Sequence, residues 1–372
     1  MSRTTWGHIE YLGVDRYRIH WYDDTGVKRS RRIRGSRRVA EEALAAARLD
    51  RNYIPPITWG VYYEKTVKPS FVGLEEKTIY GYERTWEAVL KSHIHNHYVQ
   101  DTNFHYCQET LNKIDAPSVQ RHAKALWRKM CYMAVHDELL PSCPIDKSIK
   151  LKPRNKRKKH MLSAAKVHDF INNISDMKYK GLALMELGGG LSHEEACAMV
   201  SEKVKRVEIK GRVYAVLTVD MALTVVKSKK ILKGTKNQFR EREVVIGEPF
   251  ATPLLELIDG TGPLFPGPLK VIGDEYGAAN FASPQVATRN WSRWCASNDE
   301  VDYIRFGDMR SIYSTWHGEA GSPDSLVSMS MGHSDGTTKG DNYQMATRRG
   351  LVLIADMLTD YLCGSDHDDF DW

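Results

Sequence analysis

A histidine and a tyrosine lie ten residues apart near the C-terminus, in a segment that begins Gly332-His333-Ser334 and reaches Tyr343. The chain between them is rich in Ser, Asp, Gly and Thr, and apolar segments lie on either side. A tyrosine hydroxyl can act as a nucleophile, and a histidine can donate to an anionic oxygen or move a proton. The alternative is a surface loop that contains both residues by chance, and for an isolated pair that alternative is the more common one.

The bulk properties favour a protein of the cytoplasm with several domains. A length of 372 residues is typical of two or three domains. The mean hydropathy of -0.47 and the lack of a run of about 18 apolar residues argue against a membrane protein. The N-terminus lacks the apolar core of a signal peptide. The six cysteines have no CxxC or CxH spacing, which predicts reduced thiols with neither disulfides nor a zinc site.

Positive charge is concentrated in two segments. Residues 28–38 contain seven Lys/Arg and no acidic residue, and residues 152–159 contain six more. Such segments are often only solvated surface, but two dense ones without compensating acids favour a polyanionic partner. The last residues, by contrast, are acidic.

The hydrophobic patterns predict elements of two kinds before residue 150. Residues 6–50 alternate between apolar and polar, which predicts three strands with a turn at Asp23–Gly26, followed by a helix capped by Ser36. Residues 61–150 have helical periodicity throughout, and Pro117 lies in the first turn of one long helix.

Beyond residues 152–159, which we call the basic linker, the hydrophobic pattern is mixed. Apolar spacing predicts helices at about 164–174, 180–187, 193–201, 285–296, 309–320 and 324–331, and strands in RVYAVLTV and REREVVIG. An apolar helix also follows Tyr343.

In combination, Arg310, the Gly332-His333-Ser334 motif and Tyr343 resemble the C-terminal half of a tyrosine recombinase of the phage integrase type. That family has an H-x-x-R box, a G-H-S motif and a tyrosine about ten residues on, which here comes one residue later than usual. The segment KGTKNQFREREVVI resembles the family's lysine-bearing hairpin and places that lysine at Lys236, with Lys230 and Lys233 as alternatives.

The resemblance extends to the domain order and implies a multidomain α+β protein. Residues 1–55 resemble an arm-type DNA-binding domain made of a three-stranded sheet and a helix. Residues 61–150 resemble an all-helical core-binding domain, and residues 160–372 a mainly helical α+β catalytic domain with a C-terminal helix.

The resemblance also implies a chemistry. Tyr343 would attack a DNA phosphodiester and form a 3′-phosphotyrosine, which stores the bond energy so that no ATP is needed. Arg310 and His333 would hold the non-bridging oxygens, and Lys236 would protonate the departing 5′-oxygen. No metal and no other cofactor is implied.

Two positions depart from the family pattern. The family's first box reads G-L-R-x-S/G-E, and the matching segment here begins Gly190-Leu191 and ends at Glu195, so that Ser192 stands where the arginine belongs. The histidine of the H-x-x-R box is replaced by Gly307. The loss of one donor to a transition-state oxyanion costs about 10²–10³ in rate, so Ser192 raises the question of activity.

The sequence therefore supports two functions. The first is an integrase of a phage or other mobile element, which acts near the nucleoid of a bacterial cell, binds arm and core sites, assembles into a tetramer through its C-terminal helix and works with a DNA-bending or excision factor. The second is a catalytically impaired DNA-binding protein with an architectural or regulatory role. For either function the expected DNA contacts are Lys28, Arg29, Arg31, Arg32, Arg34, Arg121, Lys124, Arg128, Arg154, Lys156, Arg157 and Lys158.

Overall fold

The computed structural model of the chain describes residues 7–22, 28–48, 56–154, 157–234, 241–258, 260–268, 277–333 and 347–364. The chain divides into two compact units, Met1–Lys156 and Arg157–Trp372. None of the helices within the described ranges is long and apolar enough to cross a membrane.

The first unit begins with the predicted small sheet. Strands β1 (Gly7–Gly13), β2 (Arg16–Tyr22) and β3 (Lys28–Arg34) form an antiparallel sheet in that order, and helix α1 (Arg37–Arg48) packs on one face. The buried core is small, so we expect a sheet of this size to be only marginally stable alone. The predicted turn at residues 23–26 lies outside the described residues.

The rest of the first unit is helical, as predicted, and has a separate core rich in aromatic residues. Buried Trp59, Trp86 and Trp127 lie at its centre, and the ring of Tyr63 stacks on Trp86 at 4.1 Å. Two π-helical turns, Tyr63–Val67 and Trp86–Leu90, continue α-helices. The helices are α2 (Trp59–Tyr62), α3 (Glu76–Thr85), α4 (Lys91–Ile94), α5 (Phe104–Asn112) and α6 (Pro117–His136), with 3₁₀ turns at Pro69–Phe71 and Val99–Asp101.

The second unit has mixed secondary structure around one large core. Strands β4 (Val204–Ile209), β5 (Arg212–Val219) and β8 (Arg242–Ile246) form an antiparallel sheet in the order β4-β5-β8, while β6 (Met221–Val226) and β7 (Lys229–Gly234) form a separate hairpin. The helices are α7 (Val167–Asn173), α8 (Met177–Gly189), α9 (His193–Ala196), α10 (Ala251–Glu256), α11 (Pro284–Cys295), α12 (Phe306–Glu319), α13 (Asp324–Ser330) and α14 (Arg348–Cys363).

The helix predicted over residues 193–201 is wrong in its length, because α9 ends at Ala196. The chain beyond it pairs with a distant loop: Ser201 N–H donates to the Gly262 carbonyl and Leu264 N–H donates to the Met199 carbonyl. Local periodicity cannot reveal hydrogen bonds to a segment some sixty residues away, which is why the sequence pattern overextended the helix.

The C-terminal helix α14 packs on the sheet of the second unit. Leu351, Ile354 and Ala355 lie against Tyr214 and Val245 of the sheet.

Candidate active site

Arg310 and His333 come together, as the motif resemblance implied. Arg310 lies in the second turn of α12, and His333 follows the C-terminal end of α13. The Arg310 Nη2 atom is 2.9 Å from His333 Nε2. Because a guanidinium can only donate, His333 Nε2 is the acceptor, which places the ring proton of a neutral imidazole on Nδ1.

Backbone carbonyls fix the direction of the Arg310 side chain. Its Nη1 atom donates to the Gly190 carbonyl at 2.7 Å, and Nη2 donates to the Met331 carbonyl at 2.6 Å. Gly190 ends α8 with φ at +62°, and a Cβ there would lie 2.6 Å from the Tyr313 ring. Glycine is therefore required at this position, both for the left-handed backbone and for the close approach of Tyr313.

Position 192 lies in the same loop as the Arg310 contacts. Ser192 is the N-cap of α9, and its backbone N–H donates to Glu195 Oε2 at 2.9 Å. Residues 190 and 195, on either side, both contact Arg310. The side chain of an arginine at position 192 would thus start at the edge of this pocket. Serine at this position supplies no positive charge to the pocket.

An arginine that sequence reasoning did not single out lies within the site. The side chain of Arg242, at the start of β8, is 7% exposed and contacts both carboxylate oxygens of Glu195 at 3.2 and 3.4 Å. The sequence contains one signal for this arginine: residue 242 lies two and four positions before Val244 and Ile246, which are both fully buried. A strand period of two places this arginine on the core face.

Glu195 is a fully buried carboxylate with cations on two sides. Burial raises the pKa of Glu195, but the charge and hydrogen bonds of Arg242, the Ser192 N–H and Arg310 together hold that pKa below its usual range. Arg310 Nη1 is 3.6 Å from Glu195 Oε2, further than either Arg242 contact. Glu195 is therefore ionised, and Arg242 is its main counter-ion.

A buried acid–histidine pair, Glu186 and His193, holds the first residue of α9 in place. His193 Nδ1 is 2.8 Å from Glu186 Oε1, its Nε2 is 3.0 Å from the Pro284 carbonyl, and its ring stacks on Phe306. Burial lowers the pKa of His193, yet hydrogen bonds to Cys197 and Glu186 outweigh it and raise that pKa to about 11. This charged ring ties α9 to α8, α11 and α12.

At Gly307, where the family pattern has histidine, the structure is open. Among the described residues, no heavy atom lies within 4 Å of an ideal Cβ at this position. The neighbouring Asp308 pairs with Arg157 of the basic linker, and Lys159 Nζ donates to Ser311 Oγ at 2.9 Å. The linker thus runs beside the turn of α12 that carries Arg310.

The three candidate lysines have different surroundings. Lys236 lies outside the described residues, as do Tyr343 and Ser334. Lys230 donates to the carbonyls of Ala279 and Phe281, and burial lowers its pKa.

Lys233 lies on the opposite face of strand β7 from Lys230. It pairs across the hairpin with Ala222, and on the same face Thr224 Oγ1 donates to Glu194 Oε2 at 3.4 Å. Side chains alternate along a strand, so Lys233 shares the hairpin face that contacts α9.

The predicted DNA contacts of the small sheet divide between its two faces. Strand register pairs Arg32 with Arg18 and Arg34 with Arg16, on the face opposite α1. Arg31 instead pairs with buried Ile19, so Arg29 and Arg31 project on the side of the helix. Lys28, like Arg32, lies on the open face.

The remaining predicted contacts lie on α6 and on the linker. Arg121 donates to the carbonyls of Pro117 and Lys152, and Lys124 donates to the Ile149 carbonyl. Arg128 is exposed and donates to the Tyr132 hydroxyl at 3.1 Å. Arg154 and Lys158 are exposed, Arg157 is paired with Asp308, and Lys156 lies outside the described residues.

Solved structures identify the architecture. An integrase of the transposon Tn1549 in complex with a circular intermediate DNA matches with a TM-score of 0.62 and 16% identity, over 81% of this chain and 99% of that chain. A lambda integrase tetramer bound to a Holliday junction matches with a TM-score of 0.51 and 13% identity, over 89% and 96%. The chain has the fold of these integrases.

The integrase fold accounts for most of the chain, and it confirms the fold class that the motif resemblance implied. A lambda integrase dimer bound to a COC′ core site matches with a TM-score of 0.50 at 11% identity, over 79% of this chain and 97% of that chain. No protein-family model matches the sequence, and no curated protein matches it. The integrase fold is thus evident in three dimensions while sequence identity is low.

Proposed function

We propose that the protein is a site-specific DNA recombinase of the tyrosine type, encoded by a phage or another mobile element. The contact between Arg310 Nη2 and His333 Nε2 supports this proposal most directly, because the two side chains to which the motif resemblance assigns phosphate binding lie in contact within an integrase fold. His333 begins the segment that reaches Tyr343 ten residues later. Preorganised donors of this kind stabilise the charge that develops on a phosphoryl group.

In the proposed reaction, the hydroxyl oxygen of Tyr343 gives its proton to water as it attacks the scissile phosphorus, and the bond from phosphorus to the 5′-oxygen breaks. Arg310 stabilises the negative charge on the non-bridging oxygens, with His333 beside it. The leaving 5′-oxygen takes a proton from a lysine and departs as a hydroxyl. Attack by a 5′-hydroxyl of the partner strand reverses these steps, rejoins the DNA and releases Tyr343.

Two lysines are candidates for that proton donor. Lys236 is the position that the motif indicates, while Lys233 lies on the face of the β6–β7 hairpin that contacts α9. We expect the K233A and K236A variants to separate them. A substrate whose leaving oxygen is replaced by sulfur needs no proton, because a thiolate leaves readily. The variant that lost the donor is therefore rescued by that substrate, and the other variant is not.

The basic surfaces would bind the DNA in two places. The open face of the small sheet would bind arm sites, while α6 and the linker would bind core sites. Among the solved structures of the same fold are integrases in complex with DNA and a lambda integrase tetramer. By analogy, we propose that four protomers assemble on DNA and that α14, or the chain beyond it, contributes to the contact between them.

The test is covalent capture on DNA. Binding sites are selected from random duplex DNA and then nicked just downstream of each candidate scissile phosphate, so that the short 5′-hydroxyl fragment diffuses away and the adduct accumulates. We expect the wild-type protein to form a denaturant-resistant adduct at a DNA 3′ end. The Y343F control should bind equally well and form none. An adduct with Y343F, or none with the wild-type protein, would contradict the proposal.

Ser192 favours the second candidate function, a DNA-binding protein that does not cleave. The expected loss of about 10²–10³ in rate for one missing donor could leave binding as the main activity. The S192R variant distinguishes the two, with S192K as a control that supplies charge without the two-pronged guanidinium. If only S192R forms the adduct, the natural protein is a binding protein; an adduct with the wild-type chain excludes that function.

A further inference from the structure

Three groups share the buried charge beside the phosphate-binding pair. Glu195, which is fully buried, lies between the guanidinium of Arg242 at 3.2 and 3.4 Å and that of Arg310 at 3.6 Å. A buried carboxylate requires a counter-ion, and two parallel contacts to one guanidinium are the strongest arrangement available to it. Arg242 has that arrangement, and Arg310 has the longer single contact.

Arg242 also reaches the loop that carries the histidine. Its Nε atom donates to the Ser330 carbonyl at the end of α13. The next carbonyl, that of Met331, accepts from Arg310, and His333 N–H donates back to the Ser328 carbonyl. One side chain from β8 therefore connects α9 to the turn from which His333 projects.

We propose that Arg242 is a positioning residue for DNA cleavage: by carrying the counter-charge of Glu195, it keeps Arg310 turned toward His333 and the scissile phosphate. This inference rests on the proposed function. It matters in this chain in particular because position 192 carries serine, so that phosphate binding at this pocket depends more heavily on Arg310.

In this proposal Arg242 and Arg310 compete for the Glu195 carboxylate. Arg310 holds its direction through contacts of 2.6–2.9 Å to Met331 O, Gly190 O and His333. If Arg242 were neutral, the buried Glu195 charge would be opposed mainly by Arg310. A two-pronged pair between them would draw Nη2 away from Met331 and His333, because the interaction between charges strengthens as they approach and as water is excluded. The scissile phosphate would then lie next to an Arg310 whose positive charge is already paired with Glu195.

The experiment compares R242Q, E195Q and the double variant R242Q/E195Q in the full-length protein. We expect R242Q to slow adduct formation on the nicked substrate by at least about 100-fold, the scale of a lost oxyanion donor, with DNA affinity changed less than about threefold. The double variant should recover to within about tenfold of wild type, since no buried carboxylate remains to capture Arg310. A double variant as slow as R242Q would overturn the inference, and so would an R242Q variant as fast as wild type.

A substrate with a neutral methylphosphonate at the scissile position separates this role from a general loss of structure. With no negative charge to stabilise, the difference between wild type and R242Q should shrink to within about threefold. An undiminished difference would mean that Arg242 acts only through the fold. If R242Q does not fold, E195Q and R242Q/E195Q are compared instead: their rates should agree within about tenfold, and a larger loss in the double variant would refute the inference.

A readout in DNA-free protein keeps this inference distinct from the proposed function. Nitrogen-15 NMR, with the His333 signals assigned from H333Q, reports which ring nitrogen carries the proton. We expect the Nδ1–H form in wild type, its loss in R242Q and its return in the double variant. A wild-type chain that forms no adduct but shows this pattern would contradict only the proposed function. Unchanged His333 signals in R242Q would contradict the role of Arg242.

Discussion

Gly307 offers a direct way to strengthen the proposed active site. The family pattern has histidine here, and an added side chain meets no described heavy atom within 4 Å of its Cβ. We expect G307H to fold normally and to raise the rate of adduct formation about tenfold or more, because it adds one donor near the phosphate. G307A is the matched control, since it also replaces glycine by a residue of higher helix propensity but carries no imidazole. Equal rates for the two variants would rule out a phosphate contact at 307.

At the level of single residues, the sequence identified those candidate site residues that lie within short motifs. Arg310 and His333 were singled out by their resemblance to family motifs, and they lie in contact. Arg242 was not singled out, because its partner Glu195 is 47 residues away and only the tertiary fold brings them together. The missing arginine at 192 was visible in the sequence, whereas the guanidinium that neutralises the neighbouring carboxylate was not.

Among the elements, the N-terminal sheet separates its arginines by face. Arg32 and Arg34 lie on the open face, and Arg29 and Arg31 lie on the side of α1. We expect R32A/R34A to weaken arm-site binding about tenfold or more, because each lost phosphate contact removes the favourable release of a counter-ion from the DNA. We expect R29A/R31A to have a smaller effect. Gel-shift titrations with separate arm and core duplexes measure both. Equal losses on the two duplexes would refute separate arm and core surfaces.

The helix that carries Arg310 also contains a buried histidine, which links stability to pH. His317 on α12 is 1% exposed, its Nδ1 lies 2.9 Å from Ser322 Oγ, and burial lowers its pKa to about 4. The unfolded chain takes up a proton here near pH 6.5, but the folded chain does so only near pH 4. Stability contributed by neutral His317 is therefore present above pH 6.5 and is lost as the pH falls toward 4, by up to about 3 kcal/mol.

Denaturant unfolding at several pH values measures this effect. We expect H317Q to remove that part of the pH dependence, because glutamine does not titrate. Identical pH slopes for wild type and H317Q between pH 4 and 6.5 would show that His317 is not buried in its neutral form.

The elements themselves were predicted to different degrees. Strands β1 to β3 and the helices of residues 61–150 follow from regular periodicity, and they are present. The helix over 193–201 was overextended, because pairing of Met199 and Ser201 with a distant loop ends it at Ala196. The pairing of β8 with β5 was also beyond the sequence, since β6 and β7 lie between them in the chain and strands that pair need not be consecutive.

For the whole molecule, the salt dependence of DNA binding reports which cations contact phosphates. Arg154 and Lys158 are exposed, whereas Arg121 and Lys124 donate to carbonyls of the chain. We expect R154A and K158A each to reduce the slope of log affinity against log salt by about 0.9, and R121A and K124A to reduce it less. Fluorescence anisotropy on a core duplex at several salt concentrations measures the slopes. Larger reductions from R121A and K124A would place the DNA on that face of α6 instead.

The contacts of the basic linker with α12 determine where a fragment of the second unit can begin. Arg157 pairs with Asp308, Lys159 donates to Ser311, and the indole of Trp316 donates to the Leu162 carbonyl at 3.1 Å. A fragment that begins at residue 160 would leave the Asp308 carboxylate, 12% exposed, without its arginine. A fragment intended to contain the second unit alone should therefore begin at or before residue 157.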